Sequence, residues 1–190
     1  MECPFLEQTV VFKPPKIRNR KKGQARNLPI GRHRFAGKVV VVYRLYYWEG
    51  EDVESVDRKY YMKVNTQNAL TETDRESATL FQLESVGSSA EFKIILDGDT
   101  PKYIAATSGK DHIQVTEYQP HLLQNLSLED DHRSFDDWAK EGARVKTEDG
   151  RYLGYCLKDH VVKCFPSGTE AQPGAVLLDC CLEILLKSCS

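Results

Sequence analysis

Thiol and imidazole side chains gather near the end of the chain, where Cys156, His160 and Cys164 follow one another at four-residue intervals. Cys180 and Cys181 lie downstream, and thiolates together with imidazole form a ligand set that zinc accepts. The spacing spans one predicted hairpin and lacks the close CxxC pairs that are typical of zinc sites. Strand positions explain Cys156 and Cys164 better, as small apolar residues of a core. We therefore expect no bound metal and no cofactor.

Catalysis requires a nucleophile, a base and an orienting group that converge, and cysteine, histidine and aspartate are all present in the chain. No segment contains a sharp nucleophile elbow, a glycine-rich phosphate loop or an HExxH sequence. Asp97, Asp99 and Asp149 stand next to glycines between predicted strands, which is typical of turns. The acidic runs 129–131 and 136–137 lack the spacing of an EF-hand calcium loop. The sequence therefore predicts a protein that is not an enzyme.

Basic residues are concentrated at the start of the chain. Residues 8–48 contain eleven Lys or Arg and no acid, whereas residues 49–190 contain fifteen bases and 26 acids. Such asymmetry indicates a basic arm attached to an acidic globule. The arm has several prolines and glycines and few large apolar residues, so it cannot bury enough surface to offset the entropy of ordering. We predict a basic, largely disordered arm over residues 1–36 and a folded domain over residues 37–190.

The composition of the arm suits polyanion binding, because clustered cations gain free energy from counterion release. Nuclear import is a second interpretation, and a solvated tail that keeps an acidic domain soluble is a third. Interleaved aromatic residues for base stacking are missing, so sequence-specific RNA recognition is unsupported. The residues predicted for polyanion binding or nuclear targeting are Lys16, Arg18, Arg20, Lys21, Lys22, Arg26, Arg32 and Arg34.

The length and the cysteine pattern bear on the cellular compartment. A chain of 190 residues is long enough for a core that needs neither disulfides nor a metal. No apolar run approaches the roughly 20 residues needed to cross a bilayer, and residues 1–12 lack the basic n-region of a signal peptide. The six cysteines are unevenly placed, which is typical of free thiols in a reducing compartment. We expect no membrane insertion and no conventional secretion.

Beyond Phe35 the apolar residues occur in short runs rich in Val, Ile, Tyr and Thr, bounded by Gly, Asp and Asn. Such runs predict an all-β protein with a barrel or sandwich architecture. The twelve predicted strands are residues 39–48, 60–64, 69–73, 79–85, 92–96, 103–107, 112–117, 135–139, 143–147, 152–156, 161–165 and 176–183.

An internal repeat organises these strands. A base precedes each of Tyr60, Tyr103 and Tyr152, which are separated by 43 and 49 residues. Ten residues after each tyrosine the chain has an aliphatic residue, and these three residues are Leu70, Ile113 and Val162.

The repeat predicts three units of four strands. The third strand of each unit lies near Phe81, Phe135 or Leu178, and the fourth strand precedes the tyrosine. Three such units resemble the β-trefoil, a six-stranded barrel capped by three hairpins, over residues 38–186. The segment 118–133 is predicted as an insertion outside the barrel.

Two stretches resemble the interleukin-1-type cytokines, with a weaker likeness to fibroblast growth factors. The sequence PKYIAAT at residues 101–107, followed by Val115, is similar to the family's pattern of Pro, two variable residues, an aromatic or aliphatic pair, a small residue and Thr. The sequence FQLES at residues 81–85, with Phe92, resembles the strand pair that precedes this pattern. The chain departs from the family at Ile95, Asp97, Gly98 and Ala105, and a whole unit follows the pattern that the family has in its last unit.

The resemblance implies a non-enzymatic, cytokine-like signalling ligand that binds a cell-surface receptor through loops of a β-trefoil. It also implies release from the cytoplasm and nucleus by a leaderless route, with the arm as a nuclear-targeting or sulfated-glycan-binding segment. The alternative is an intracellular module of the fascin-like type that binds actin or another protein scaffold, which the free cysteines favour. A glycan-binding trefoil is a third reading, although the QxW repeats of the ricin-like type are absent. We expect a monomer, and the sequence does not indicate which residues contact a receptor.

Overall fold

A computed structural model describes residues 5–6, 38–130, 134–167 and 174–189 of the chain. The predicted arm, including its eight basic site residues, lies outside this part except for Phe5 and Leu6, so its disorder stays a prediction. Within the described residues, no helix is long and apolar enough to span a membrane.

The described residues form strands and one short helix, which confirms the all-β prediction. The single helix, α1, covers Phe135–Glu141. The strands are β1 Phe5–Leu6, β2 Lys38–Gly50, β3 Val56–Val64, β4 Leu70–Thr73, β5 Phe81–Ser85, β6 Phe92–Leu96, β7 Tyr103–Ala106, β8 Ile113–Thr116, β9 Leu126–Leu128, β10 Ala143–Thr147, β11 Tyr152–Cys156, β12 Val161–Phe165, β13 Val176–Leu177 and β14 Asp179–Cys189.

The chain divides into two compact units, one of Met1–Val42 with Ile184–Ser190 and one of Tyr43–Glu183. In the described part of the first unit, Phe5 and Leu6 pair antiparallel with Lys187 and Leu186. The second unit contains the main hydrophobic core, the helix and all of the side chains considered below.

Pairings among the described strands form a circuit of six. Strand β2 pairs with β5, β5 with β6, β6 with β9, and β9 with β10. Strand β10 then pairs with the start of β14, and β14 pairs with β2. A circuit of this kind leaves no strand edge within it open for pairing with another chain.

Three hairpins, β3–β4, β7–β8 and β11–β12, share one pairing register relative to a buried aliphatic residue on the second strand, although the loop of the first hairpin is one residue shorter. Tyr61 is opposite Thr73, Tyr103 is opposite Thr116, and Tyr152 is opposite Phe165. The tyrosine of the first hairpin that matches the other two is therefore Tyr61, one residue beyond the predicted Tyr60.

The aliphatic residues of the predicted repeat also occupy matching places. Leu70, Ile113 and Val162 each stand three residues before those partners on the second strand of their hairpin, and all three are buried. Burial of the same aliphatic position in each hairpin explains why the sequence repeats there.

The three hairpins bond to one another through their backbones. The N–H of Val115 donates to the carbonyl of Asn68 at 2.8 Å, and the N–H of Cys164 donates to the carbonyl of Asp111 at 2.7 Å. Thr71 of β4 pairs with Val161 of β12. Each hairpin thus contacts the other two.

The predicted strand 135–139 is wrong, because these residues form helix α1. Ser134 caps the helix by accepting from the N–H of Asp137, whose carboxylate accepts in turn from the N–H of Ser134. This reciprocal pair is a capping box, which outweighs the alternating pattern that suggested a strand. Trp138 faces inward from the helix and is fully buried.

Strand β9 lies within the segment predicted as an insertion. Leu126 and Leu128 are buried, and their strand pairs with both β6 and β10. The insertion prediction for 118–133 is therefore wrong for these residues. Three residues are too few to show a clear alternation beside the acidic run that follows them.

Candidate functional site

The eight arm residues predicted to bind a polyanion or to direct nuclear import all lie outside the described residues. Their role stays a prediction, and the candidate sites below come from the second unit.

The thiols and the imidazole that were weighed above as zinc ligands lie on different strands and a turn. Cys156 and Cys164 are buried on β11 and β12, whereas His160 lies exposed at the hairpin turn with φ of 57°. Cys164 has the same register position as Val115, which supports the packing interpretation. In the described part of the chain, no three His, Cys, Asp or Glu side chains are placed to hold a metal ion.

Cys180 and Cys181 enter two different apolar clusters, as expected for neighbours on a strand. Cys180 belongs to the main core, where its carbonyl accepts from Trp138 Nε1 at 3.1 Å. Cys181 packs with Tyr46 and Tyr61 in a smaller cluster. The two thiols are buried and free.

Two of the turn aspartates, Asp149 and Asp97, accept hydrogen bonds from neighbouring side chains. Asp149 accepts from the hydroxyl of Thr147 and from Arg151 Nε, the latter at 2.9 Å. Burial alone would raise the pKa of Asp149, but these hydrogen bonds outweigh it and hold the pKa below its usual value. Asp97 accepts from Gln82 Nε2 at 2.7 Å, so it also links two strands.

A cluster of charged and phenolic side chains, which we name the Glu183 cluster, lies on the face of β2, β3 and β14 away from the main core. Glu183 Oε1 accepts from Arg44 Nη1 at 2.7 Å and from Arg75 Nε at 2.8 Å. Its Oε2 accepts from the hydroxyl of Tyr61 at 2.6 Å. Three donors from β2, β3 and the segment after β4 therefore converge on one carboxylate.

The Glu183 cluster is largely closed to water. The side chain of Arg44 is 7% exposed and that of Glu183 is 18% exposed. Burial raises the pKa of Glu183, but the hydrogen bonds from Tyr61 and Arg44 and the charge of Arg75 dominate and lower it. Burial and the bond to Glu183 raise the pKa of Tyr61. The carboxylate is therefore ionised and the phenol neutral at physiological pH.

The face of the sheet that carries the Glu183 cluster, which we name the outer face, also carries aromatic residues along hairpin β2–β3. Tyr46 packs on Tyr61 with ring centroids 5.1 Å apart and on Trp48 with centroids 6.5 Å apart. The ammonium of Lys59 lies 4.8 Å from the centre of the Tyr46 ring. The face of an antiparallel sheet opposite its core usually carries polar residues. The aromatic residues on this face are therefore candidates for a function other than core packing.

The opposite face of the same hairpin holds a second cation and aromatic group. The guanidinium of Arg58 lies 4.4 Å above the Tyr60 ring and donates to Glu72 at 2.8 Å. The hydroxyl of Tyr60 donates to Glu49, and the hydroxyl of Tyr155 donates to Glu72. Arg58 is thereby held in one place although its side chain is 59% exposed.

The tip of hairpin β2–β3 is acidic and ordered by its own side chains. Asp52 Oδ1 accepts from the N–H groups of Glu54 and Ser55 and from the Ser55 hydroxyl. These bonds lower the pKa of Asp52. A tip ordered in this way loses little entropy when a partner binds, and the acidic residues around it are Glu49, Glu51, Asp52, Glu54 and Asp57.

A further exposed aromatic residue lies on the loop after β8. Tyr118 is 59% exposed, and Lys93 Nζ lies 5.8 Å from its ring centre and 5.5 Å from that of Tyr103. Among the described residues, Tyr118 and Val39 are the exposed large apolar side chains.

Sequence reasoning missed the Glu183 cluster, although the chain contains a signal for it. Arg44 and Glu183 are each the lone charge within an apolar strand, in VVVVYRLYY and CCLEILL. A charge placed in this way is rarely buried without a partner, so two such residues of opposite sign predict a pair. The carboxylate partners Tyr61 and Arg75 give no comparable signal.

Comparison with known proteins identifies no relative. No family model matches the chain, and neither a curated protein nor a solved structure is similar to it at a significant level.

Proposed function

We propose that residues 38–186 form a β-trefoil and that the protein is a non-enzymatic ligand of the interleukin-1-like or growth-factor-like type. The observation that carries the fold proposal is the circuit of six strands together with three hairpins of one register. A six-strand barrel with three capping hairpins requires this set of pairings.

Hairpin β2–β3 is the proposed partner-binding element. Ligands of this kind present a rigid surface, and Arg, Tyr and Trp contribute most of the binding energy in protein interfaces. Arg58 and Lys59 are exposed, each lies over a tyrosine ring, and the tip beside them is fixed by Asp52. The hairpin therefore offers two pre-ordered cations and the half-buried ring of Trp48 beside an acidic tip.

The alternative function, an intracellular scaffold module of the fascin-like type, has one observation in its favour. Cys156, Cys164, Cys180 and Cys181 are all buried and free. Free thiols persist most readily where glutathione keeps them reduced.

Three measurements test the proposal and separate it from the alternative. First, the intact protein is expressed in living cells and its amount outside them is compared with a co-expressed cytosolic marker. Second, the labelled protein is titrated onto cells. Third, the purified protein is mixed with actin filaments and sedimented. A ligand is released ahead of the marker and binds saturably, whereas retention in cells together with co-sedimentation with actin filaments would favour the scaffold.

A pair of variants locates the binding element. We expect Arg58→Ala with Lys59→Ala to weaken cell binding by about tenfold or more, because pre-ordered Arg contacts are typical hot spots. Lys110→Ala with Lys158→Ala, two exposed lysines in the turns of the other hairpins, removes the same charge as a matched control and should bind as the parent does. Equal loss in both variants would show that only net charge matters.

A further inference from the structure

A polar cleft lies beside the exposed ring of Tyr118. The cleft has a volume of about 310 Å³, at the small end of the range for ligand pockets. Its wall comes from β8, from the loop that follows it, from the residue before β7 and from one residue of the β3–β4 turn. The polar residues that line it are Asn68, Lys102, Thr116, Glu117 and Gln119.

The loop that holds Tyr118 is braced from inside. Gln124 is buried and its Nε2 donates to the carbonyl of Gln119 at 2.9 Å, which also accepts from the N–H of Leu122. Gln119 Nε2 donates to the hydroxyl of Thr116 at 3.2 Å. The cleft is therefore formed before any ligand arrives, which lowers the entropic cost of binding.

The chemistry of the lining excludes two classes of ligand. An apolar anchor from a protein would leave the ammonium, carboxylate and amide groups of the wall without water or partners, at a cost in free energy. A strongly anionic ligand gains little, because Lys93 and Lys102 are balanced by Glu84, which is opposite Lys93 in the sheet, and by Glu117.

We propose that this cleft binds a neutral saccharide of one or two pyranose rings. A pyranose has an apolar face of C–H groups that packs on an aromatic ring, and a rim of hydroxyls that both donate and accept hydrogen bonds. Tyr118 offers the ring, and the wall offers donors and acceptors of both kinds. The inference goes beyond the proposed receptor-binding function and does not depend on it, since it involves a different hairpin.

Saturation-transfer NMR on the full chain tests the site with three neutral probes, lactose, cellobiose and N,N′-diacetylchitobiose, and with a heparin-derived oligosaccharide as an anionic comparison. We expect at least one probe to receive saturation on the C–H protons of one pyranose face, with a dissociation constant on the order of 1 mM. Tyr118→Ala should weaken this binding by about tenfold, whereas Tyr118→Phe retains the ring and most of the affinity.

Three outcomes would overturn the proposal. One is the absence of saturation transfer to all three probes at about 20 mM, well above the expected dissociation constant. Another is binding that survives Tyr118→Ala in a variant with the parent's unfolding midpoint. The third is binding limited to a heparin-derived oligosaccharide, which would assign glycan recognition to the basic arm instead. Because Tyr118 is exposed, we expect its variants to fold.

Discussion

Gly142 lies where α1 ends, and its backbone requires glycine. Its φ of 80° and ψ of 166° fall in a region that other residues rarely adopt, and its N–H donates to the carbonyl of Trp138. A Cβ at this position would lie 2.1 Å from the indole of Trp48. The close approach of indole and backbone joins hairpin β2–β3 to the start of β10.

We predict that Gly142→Ala destabilises the protein by about 2–4 kcal/mol, the sum of backbone strain and overpacking. Gly150→Ala is the control, because Gly150 also has a φ of 80° but open space around its Cβ. This control should cost only about 1 kcal/mol. Urea unfolding midpoints measure both, and similar losses would mean that the indole moves aside.

Glu183 is the residue on which the outer face depends. We predict that Glu183→Gln lowers the free energy of unfolding by about 2–4 kcal/mol, because the buried Arg44 loses its counter-charge. Glu76→Gln is the matched control, since Glu76 pairs with Arg75 only at 3.9 Å and its side chain is 74% exposed. An exposed pair of this kind contributes less than about 1 kcal/mol.

Acid should remove the contribution of Glu183. Its pKa in the folded protein lies below the ordinary value of 4.5, so its stabilisation is complete above that pH and is lost as the pH falls through the folded pKa. We therefore expect the unfolding free energy of Glu183→Gln to decline less below about pH 4.5 than that of the parent. Parallel pH profiles for the two proteins would contradict this.

Single residues were predictable where one local rule governs them. The turn role of Asp149 and the core role of Cys164 follow from neighbouring glycine and from strand alternation. The convergence of Arg44, Tyr61 and Arg75 on Glu183 does not follow, because it joins residues up to 139 positions apart and depends on strand order. Alternation alone gives the face of a side chain but not its neighbour on the next strand.

The sequence of helix α1 contains local signals that favour a helix over the predicted strand. Ser134 and Asp137 form its capping box, and Phe135, Trp138 and Ala139 have helical spacing. The expectation of a third strand in each repeat placed a strand there instead. Most other strands agree with their predicted bounds within a few residues, because Val, Ile and Tyr runs bounded by turn residues are long enough to identify. Strands β1 and β9, of two and three residues, are too short for this and are not predicted.

We predict that Ser134→Ala destabilises the protein by about 1 kcal/mol, because the N–H of Asp137 loses its acceptor at the helix start. Ser134→Asp keeps an acceptor in place and should restore most of the stability. Thermal unfolding of the three proteins measures the difference. If Ser134→Ala leaves the midpoint unchanged, Trp138 and its packing on Phe92 hold the helix without the cap.

At the scale of the whole molecule, the charge asymmetry predicts an arm that acts independently of the fold. Neutralising Lys16, Arg18, Arg20, Lys21 and Lys22 should flatten the salt dependence of heparin binding, because fewer counterions are then released. For comparison, each phosphate neutralised on B-DNA contributes about −0.9 to the slope of log K against log salt concentration. The unfolding midpoint should stay the same, because a disordered arm makes few core contacts. A large loss of stability would mean that the arm packs on the acidic globule.

The adjacent thiols of β14 allow the free energy of opening to be measured separately for each face of the sheet. Cys180 is closed within the main core and Cys181 within the smaller aromatic cluster, and burial raises the pKa of Cys181 to about 11. Neither sulfur can react with an alkylating reagent until its own face opens, so the alkylation rate reports the free energy of that opening. In chains that keep Cys180 or Cys181 as the only one of the six cysteines, we expect Cys181 to react faster, because fewer buried residues enclose it. Equal rates would mean that the face bearing Trp48 and Lys59 never opens before the core does, and that a partner must recognise it closed.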